Sequence, residues 1–320
     1  MPKIFITRQI PEKGIKLLKD KGWDVSVGPE GEISKEELLE GVKGVDAILS
    51  VLTEKIDGEV MEAAGKQLKI IANYAVGYNN IDVEEAKKRE IAVTNTPGVL
   101  TDAVSDHAVG LLFAVAQKIV EADKYTRAGK YKAWGPELFL GGDITGKTLG
   151  IIGLGRIGFA VAQRMAKGFN MKIVYYDIRR NEELEKEHNI EYQELDDLLK
   201  KADFVSLHTV LTDETRHLLN AERLKLMKPS AYLINTSRGP VIDEKALIEV
   251  LKNKKIAGAA LDVFENEPEL TPGLVDLDNI VLTPHIASAT KETRDKMAEM
   301  AANNIIAALE GQTPLNLVEK

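Results

Sequence analysis

The sequence predicts an α/β protein built from two parallel sheets, and three observations carry that prediction. Short β-rich apolar runs alternate with amphipathic helical stretches along nearly all of the 320 residues, the pattern that successive βαβ units write into a chain. The alternation breaks once, at NTPGVLTDA, where Pro97 and Gly98 interrupt it and divide the runs into two series. The first run of the second series opens onto glycines spaced G-x-G-x-x-G. A chain of this length also exceeds the usual single domain and has enough residues for two cores.

The first series runs KIFITR (3–8), WDVSV (23–27), AILSV (47–51), KIIAN (69–73) and IAVTN (91–95), with helix patterns such as EKGIKLLKDKG and KEELLEGV between the runs. Five strands in about a hundred residues make one compact, flavodoxin-like sheet. After the break, a long apolar-striped helix is expected from Thr101 to about Gly129, followed by the loop YKAWGPELFLGGDITG. The second series runs KTLGIIG (147–153), KIVYYD (172–177), DFVSLH (203–208), AYLINTS (231–237), AGAALDVF (257–264) and NIVLTPH (279–285). Six strands separated by helices make a full doubly wound sheet. A last helix is expected from about Thr290 to Glu310; its packing partner cannot be read from sequence.

Composition narrows the function classes. Hydrophobic residues at 44% and charged residues at 29% describe a soluble globular protein. No apolar run reaches the roughly 18 residues needed to cross a bilayer, and MPKIFITRQI lacks the features of a secretory signal. With no cysteine there are no disulfides, thiolate metal sites or cysteine nucleophiles, which fits the reducing cytoplasm. A formal charge of −8 without a dominant basic block makes nucleic acid a poor partner. Charged runs such as NEELEKEHN read as solvated helix faces.

The glycines carry the first functional signal. In GIIGLGRIG, Gly153 permits a tight turn, Gly155 lets backbone approach a pyrophosphate, and Gly158 lets helix and strand pack closely. An apolar strand precedes the motif, the helical run FAVAQRMAKGF follows it, and Asp177 ends the next strand nineteen residues after Gly158. That context predicts a Rossmann domain whose Gly153, Gly155, Arg156, Ile157 and Gly158 segment binds a dinucleotide at a helix N-terminus. Asp177 is placed to accept from a ribose 2′-hydroxyl and to repel a 2′-phosphate, which favours NAD. Arg179 and Arg180 stand directly behind it, leaving NADP open. At least one of the two reads as an ordinary surface charge.

Ligands in open parallel sheets bind beyond the carboxyl ends of the strands. Three chemically able residues follow strands there: Arg238 in INTSRGP, Glu267 in DVFENEP and His285 in LTPHIAS. A ketone that accepts hydride needs a proton for its oxygen, and histidine suits that task near neutral pH. A carboxylate keeps the acid form available, and an arginine fork can hold a carboxylate and polarise a carbonyl. Together they describe reduction of a 2-oxo acid. His208 also ends a strand and is the rival acid, whereas His107, His188 and His217 have structural readings. Without partners, Glu267 reads as a loop acid and Arg238 as a surface ion-pair residue.

GLGRIG, NTSRGP, DVFENEP and TPHIASAT, in that order, resemble the D-isomer-specific 2-hydroxyacid dehydrogenases over essentially the whole chain. VLTEKID, NYAVGYNNID and NTPGVLTDA resemble the glyoxylate/hydroxypyruvate reductase branch. The resemblance implies His285 as proton donor, Glu267 as its partner and Arg238 as the polarising group. It also implies that Val76 and Gly77 N–H groups hold the substrate carboxylate, whereas that loop otherwise reads as a turn capped by Asp82. Asp262 would face the nicotinamide carboxamide, Thr101 would approach the cofactor near a hinge, and Thr236 would join the cofactor site. The implied domains are 1–99 with 287–320 for substrate and 100–286 for the dinucleotide, closing over a cleft. Dimers built on the long helix are usual, and Trp134 would reach a neighbouring subunit's site. Two departures stand out: Val210 where the family usually has proline, and Ala287 where glycine is common.

Three other readings compete. The family includes corepressors that use NAD(H) to control assembly, against which stand the absence of a disordered tail and the acidic balance. Phosphoglycerate dehydrogenase would carry a further regulatory domain, and D-lactate dehydrogenase differs only in substrate. Formate oxidation is disfavoured, because Glu267 stands where those relatives carry glutamine.

Overall fold

A computed structural model of the chain describes residues 1–318. It folds as two compact units, Met1–Leu100 together with the chain from Ser288 onward, and Thr101–Ala287. In the first unit, β1 (Lys3–Ile6), β2 (Asp24–Val27), β3 (Ala47–Ser50), β4 (Ile70–Asn73) and β5 (Ala92–Thr94) alternate with α1 (Glu12–Lys19), α2 (Lys35–Gly41), α3 (Gly58–Ala64) and α4 (Val83–Lys88). All strand pairs are parallel and the order is β2-β1-β3-β4-β5. This is the flavodoxin-like winding, with its switch point between β1 and β3. Every residue of β3 and β4 is buried, as expected of central parallel strands covered on both faces. Three of these helices start where side chains satisfy their first amides: a Ser34–Glu37 capping box on α2, Asp57 on α3 and Asp82 on α4.

The second unit begins with α5 (Thr101–Ala116) and α6 (Ile119–Arg127). Its sheet and helices follow as β6 (Thr148–Ile152), α7 (Arg156–Phe169), β7 (Lys172–Tyr176), α8 (Glu182–His188), β8 (Glu191–Tyr192), α9 (Leu195–Lys201), β9 (Phe204–Leu207), α10 (Ala221–Leu224), β10 (Tyr232–Asn235), α11 (Glu244–Lys252), β11 (Gly258–Leu261) and β12 (Ile280–Leu282). The parallel order β12-β11-β10-β9-β6-β7-β8 reverses direction between β6 and β9, the Rossmann arrangement. The loops after β6, β9, β10, β11 and β12 therefore share one end of the sheet.

Two sequence expectations change here. The sheet has seven strands, because Glu191–Tyr192 adds a two-residue edge paired to Val174 and Tyr175; so short and polar a segment makes no apolar run. The long helix is two helices bent by 63°, with Lys118 between them at φ 53°. The cause is tertiary: Gly142 N–H donates to the Ala116 carbonyl at 2.9 Å, taking the acceptor that a continuing helix needs. Gly141 approaches the same carbonyl so closely that a Cβ there would lie 2.2 Å from its oxygen. No single helix among the described residues is long and apolar enough to cross a membrane.

The chain ends in α12 (Lys291–Leu309), which belongs to the first unit. Its Met297, Ala298, Ala301, Ala302 and Ile305 are buried. Small residues permit a close crossing with α1: a Cβ on Gly14 would sit 2.6 Å from the Ala298 carbonyl oxygen.

Candidate active site

The three motif glycines of the second unit do three different things. Gly153 has φ 94°, and a Cβ there would lie 2.8 Å from the His208 carbonyl, so the chain turns tightly against the end of β9. A Cβ on Gly158 would lie 2.0 Å from the Gly153 carbonyl oxygen. Gly155, the N-cap of α7, meets nothing within 4 Å. Its backbone is open to a ligand at the positive end of a helix with no acid in its first turn. Arg156 is exposed in that turn, and Ile157 is half-buried with its carbonyl accepting from Ser105 Oγ at 3.4 Å.

Asp177 braces the same loop. Its Oδ2 accepts from Leu154 N–H at 2.7 Å and its Oδ1 from Arg179 N–H at 3.2 Å. Arg180 is committed elsewhere: its Nε and Nη2 grip the Glu185 carboxylate at 2.8 and 2.7 Å, and its guanidinium lies over the Tyr192 ring. That pairing raises the Arg180 pKa further above its ordinary value. The exposed Arg179 side chain has no such partner among the described residues. At neighbouring strand ends, Thr209 Oγ1 and Thr236 Oγ1 are buried with no hydrogen-bond partner among the described residues, which invites an external one. An open amide face, a helix N-terminus, a carboxylate at the next strand end and two orphaned hydroxyls fit a dinucleotide.

Arg238, Glu267 and His285 come together at the same end of the sheet. Asn235, fully buried at the end of β10, organises the first loop: its Oδ1 accepts from Ser237 N–H and Oγ at 2.9 and 2.7 Å, and its Nδ2 donates to the Arg238 carbonyl at 3.0 Å. Gly239 presses this loop onto the next, since a Cβ would sit 1.9 Å from the Phe264 carbonyl. Burial lowers the Arg238 pKa, and the charge of Glu267 opposes that shift. Glu267 Oε1 accepts from Phe264 N–H at 2.9 Å, and its Oε2 lies 2.8 Å from His285 Nδ1. With Nδ1 donating to the carboxylate, Nε2 is the ring nitrogen left for chemistry. His285 sits at φ 53°, held by its own N–H to the carbonyls of Asp262 and Thr283 at 2.9 and 3.0 Å.

Asp262, expected to face the nicotinamide carboxamide, organises the turn that carries His285. It is fully buried, accepting from Thr283 Oγ1 at 2.6 Å and from Ile286 and Ala287 N–H at 2.9 and 2.8 Å. The two amides fix the backbone just after His285; His107 Nε2, 3.4 Å from Oδ1, and these donors hold the carboxyl below its usual range despite burial. His107 Nε2 also approaches Thr283 Oγ1 at 3.2 Å. Sequence reading missed Asn235, Thr283 and His107 as parts of the site; NTS and TPH carry the polar residues, but their partners lie on other elements.

The rival acid is half-buried and desolvated. His208 bonds Ser206 Oγ at 2.8 Å, and burial pushes its pKa down to about 3. His217 pairs instead with Glu265 at 2.7 Å. In the first unit, Val76 and Gly77 lie half-buried in the loop after β4, and Asp82 caps α4 through Glu85 N–H at 2.9 Å. Thr101 is the first residue of α5, and Trp134 is 79% exposed.

Comparison with known proteins agrees on the fold and the family. Residues 109–287 match the family model described as D-isomer specific 2-hydroxyacid dehydrogenase, NAD binding domain. Over its whole length the chain is 56% identical to the glyoxylate reductase of Pyrococcus horikoshii, covering 96% of that protein. A crystal structure from Thermus thermophilus superposes with a TM-score of 0.93 at 46% identity, covering 99% of this chain and 100% of that one. The NADPH-dependent glyoxylate/hydroxypyruvate reductase of Sinorhizobium meliloti, solved with NADP and malonate, has a TM-score of 0.87 at 32% identity, covering 99% and 96%.

Proposed function

This chain belongs to the D-isomer-specific 2-hydroxyacid dehydrogenase family, and from that premise we propose that it reduces the 2-oxo acids glyoxylate and hydroxypyruvate to 2-hydroxy acids. It is an NAD(P)-dependent oxidoreductase. The observation that carries the reading is the His285–Glu267 pair at 2.8 Å beside the half-buried Arg238, whose pKa the Glu267 charge raises against desolvation.

When bound, the nicotinamide dinucleotide supplies hydride to the carbonyl carbon. His285 delivers the proton from Nε2 to the carbonyl oxygen, while Glu267 holds Nδ1 and stabilises the charged ring. Arg238 stabilises the negative charge that develops on that oxygen, and its partial burial strengthens the effect. Asn235, Gly239 and Asp262 position these groups. Gly153–Gly158, with Thr209 and Thr236, would hold the dinucleotide on the unit 101–287, and the unit 1–100 with 288 onward holds the substrate carboxylate.

Among cofactors we place NADH ahead of NADPH: Asp177 is a carboxylate at the strand end, and Arg180 is bound to Glu185. We also propose a homodimer. Helix α6 buries none of its residues within the chain, and Tyr131, Trp134, Leu138 and Leu140 stand exposed in the loop after it, an apolar surface that calls for a partner.

Initial rates with glyoxylate and hydroxypyruvate, each with NADH and NADPH, test the reading. Turnover of both acids with higher kcat/KM for NADH is expected, and His285→Ala should lower it about a hundredfold to ten-thousandfold. Full turnover in that variant refutes the assigned acid.

A further inference from the structure

The loop leaving β4, residues 74–80, contains three consecutive peptide groups whose carbonyls are all occupied. The Ala75 carbonyl accepts from Thr96 N–H at 2.9 Å, the Val76 carbonyl from Asn95 Nδ2 at 2.7 Å, and the Gly77 carbonyl from Asn73 Nδ2 at 2.9 Å. In a trans peptide the N–H points opposite to the C=O of the same plane, and these three planes are trans. The N–H groups of Val76, Gly77 and Tyr78 therefore face away from Thr96, Asn95 and Asn73. None of the three amides donates to an acceptor among the described residues. Successive free N–H groups on a turning backbone make a concavity that binds anions.

The two side-chain amides are themselves fixed. Asn73 is fully buried; its Oδ1 accepts from Ser50 Oγ at 3.2 Å, and its Nδ2 also reaches Asn80 Oδ1 at 3.2 Å. Asn80 Nδ2 donates to the carbonyls of Val51 and Glu54 at 3.0 and 3.2 Å, joining this loop to the one after β3. Asn95 is anchored through its backbone: its N–H donates to the Asn316 carbonyl at 3.2 Å, and its own carbonyl accepts from Asn304 Nδ2 at 3.5 Å. Two rigid amides thus hold back two carbonyls that would otherwise be free to rotate toward the ligand.

We propose that Asn95 and Asn73 are positioning residues for substrate recognition, aiming the Gly77 and Tyr78 amides, beside that of Val76, at the carboxylate of the 2-oxo acid. This rests on the reading that the substrate carboxylate binds at Val76 and Gly77, and it adds Tyr78 N–H as a third donor. If the ties are lost, the planes can rotate and present carbonyl oxygen to an anion, which converts an attraction into a repulsion.

Asn95→Asp tests the proposal, because aspartate keeps the shape, removes the donor and sets an anion against the Val76 carbonyl. The intact enzyme is assayed with NADH on glyoxylate and on glycolaldehyde, a small carbonyl substrate without a carboxylate. The expected result is a KM for glyoxylate raised about tenfold to a hundredfold, the worth of a hydrogen bond to a charged group. The KM for NADH and kcat/KM for glycolaldehyde should stay as in the parent, whatever the shift in thermal midpoint. Asn95→Gln, which keeps a donor, should recover part of the loss. Tyr78→Pro removes the third N–H at an exposed position and should act as selectively, which keeps the test open if Asn95→Asp does not fold. A glyoxylate KM unchanged in both variants, or equal losses on both substrates, overturns the proposal. A parent enzyme that does not prefer glyoxylate to glycolaldehyde overturns instead the underlying reading of carboxylate recognition.

Discussion

Replacing Glu267 with glutamine keeps the side chain's shape and forces a choice that the carboxylate never faces. In the parent, Oε1 accepts from Phe264 N–H at 2.9 Å and Oε2 serves His285 Nδ1 at 2.8 Å. A glutamine has one acceptor oxygen, so it cannot accept from both. If the oxygen stays on Phe264, the amide NH2 confronts Nδ1 and disfavours the doubly protonated ring that must donate from Nε2. If it turns to His285, the NH2 confronts Phe264 N–H and the loop loses its anchor. Either way one hydrogen bond to a charged group goes, worth on the order of 1.5–3 kcal/mol. The His285 and Glu267 side chains are 24% and 26% exposed, so water screens the pair and the lower part of that range applies. A loss of about 1.5–2 kcal/mol is roughly tenfold to thirtyfold in kcat/KM. The assay is steady-state reduction of glyoxylate at saturating cofactor, with the cofactor Kd taken separately by fluorescence titration. A kcat/KM within twofold of the parent, or a fall accounted for by weaker cofactor binding, refutes the orienting role.

Three further outcomes follow from the same structure. Asp177→Ala should lose its preference for NADH over NADPH, since the carboxylate that repels a 2′-phosphate is gone; an unaltered ratio of kcat/KM values would show that the discrimination lies elsewhere. Gly239→Ala drives a methyl to 1.9 Å from the Phe264 carbonyl, so a cost of about 3 kcal/mol or more is expected, readable as a fall in thermal midpoint of at least about 6 °C. Burial holds His208 at about 3 against about 6.5 in an unfolded chain, so between those values the unfolded state binds more protons. Stability from this group is therefore complete above about pH 6.5 and declines below it by up to about 1.4 kcal/mol per pH unit. Urea unfolding at pH 7, 6 and 5 should show a flatter acid limb for His208→Gln, and an unchanged limb would contradict the assignment of that proton to His208.

What sequence reading reached and what it missed divide along a physical line. Gly153, Gly155 and Gly158 were legible because backbone space and φ are local demands that fall at fixed spacing. The strands were legible because a parallel strand buried on both faces must be written as a continuous apolar run. The pair Glu191–Tyr192 escaped because an edge strand of two residues buries too little to leave such a run. The break after Ala116 escaped because its cause, Gly142 N–H, lies 26 residues further along the chain. The candidate site repeats the distinction. His285, Glu267 and Arg238 announce themselves by side-chain chemistry at strand ends, but what aims them does not. Asp262 acts on Ile286 and Ala287, Asn235 on the Arg238 loop, and Asn95 on the Val76 carbonyl. Each is a short polar residue at or just past the end of a strand, where it reads equally well as a turn former. Only the fold says which backbone group it holds, and for Asn95 and Asn73 the held group is a carbonyl whose importance lies in the N–H on its far side.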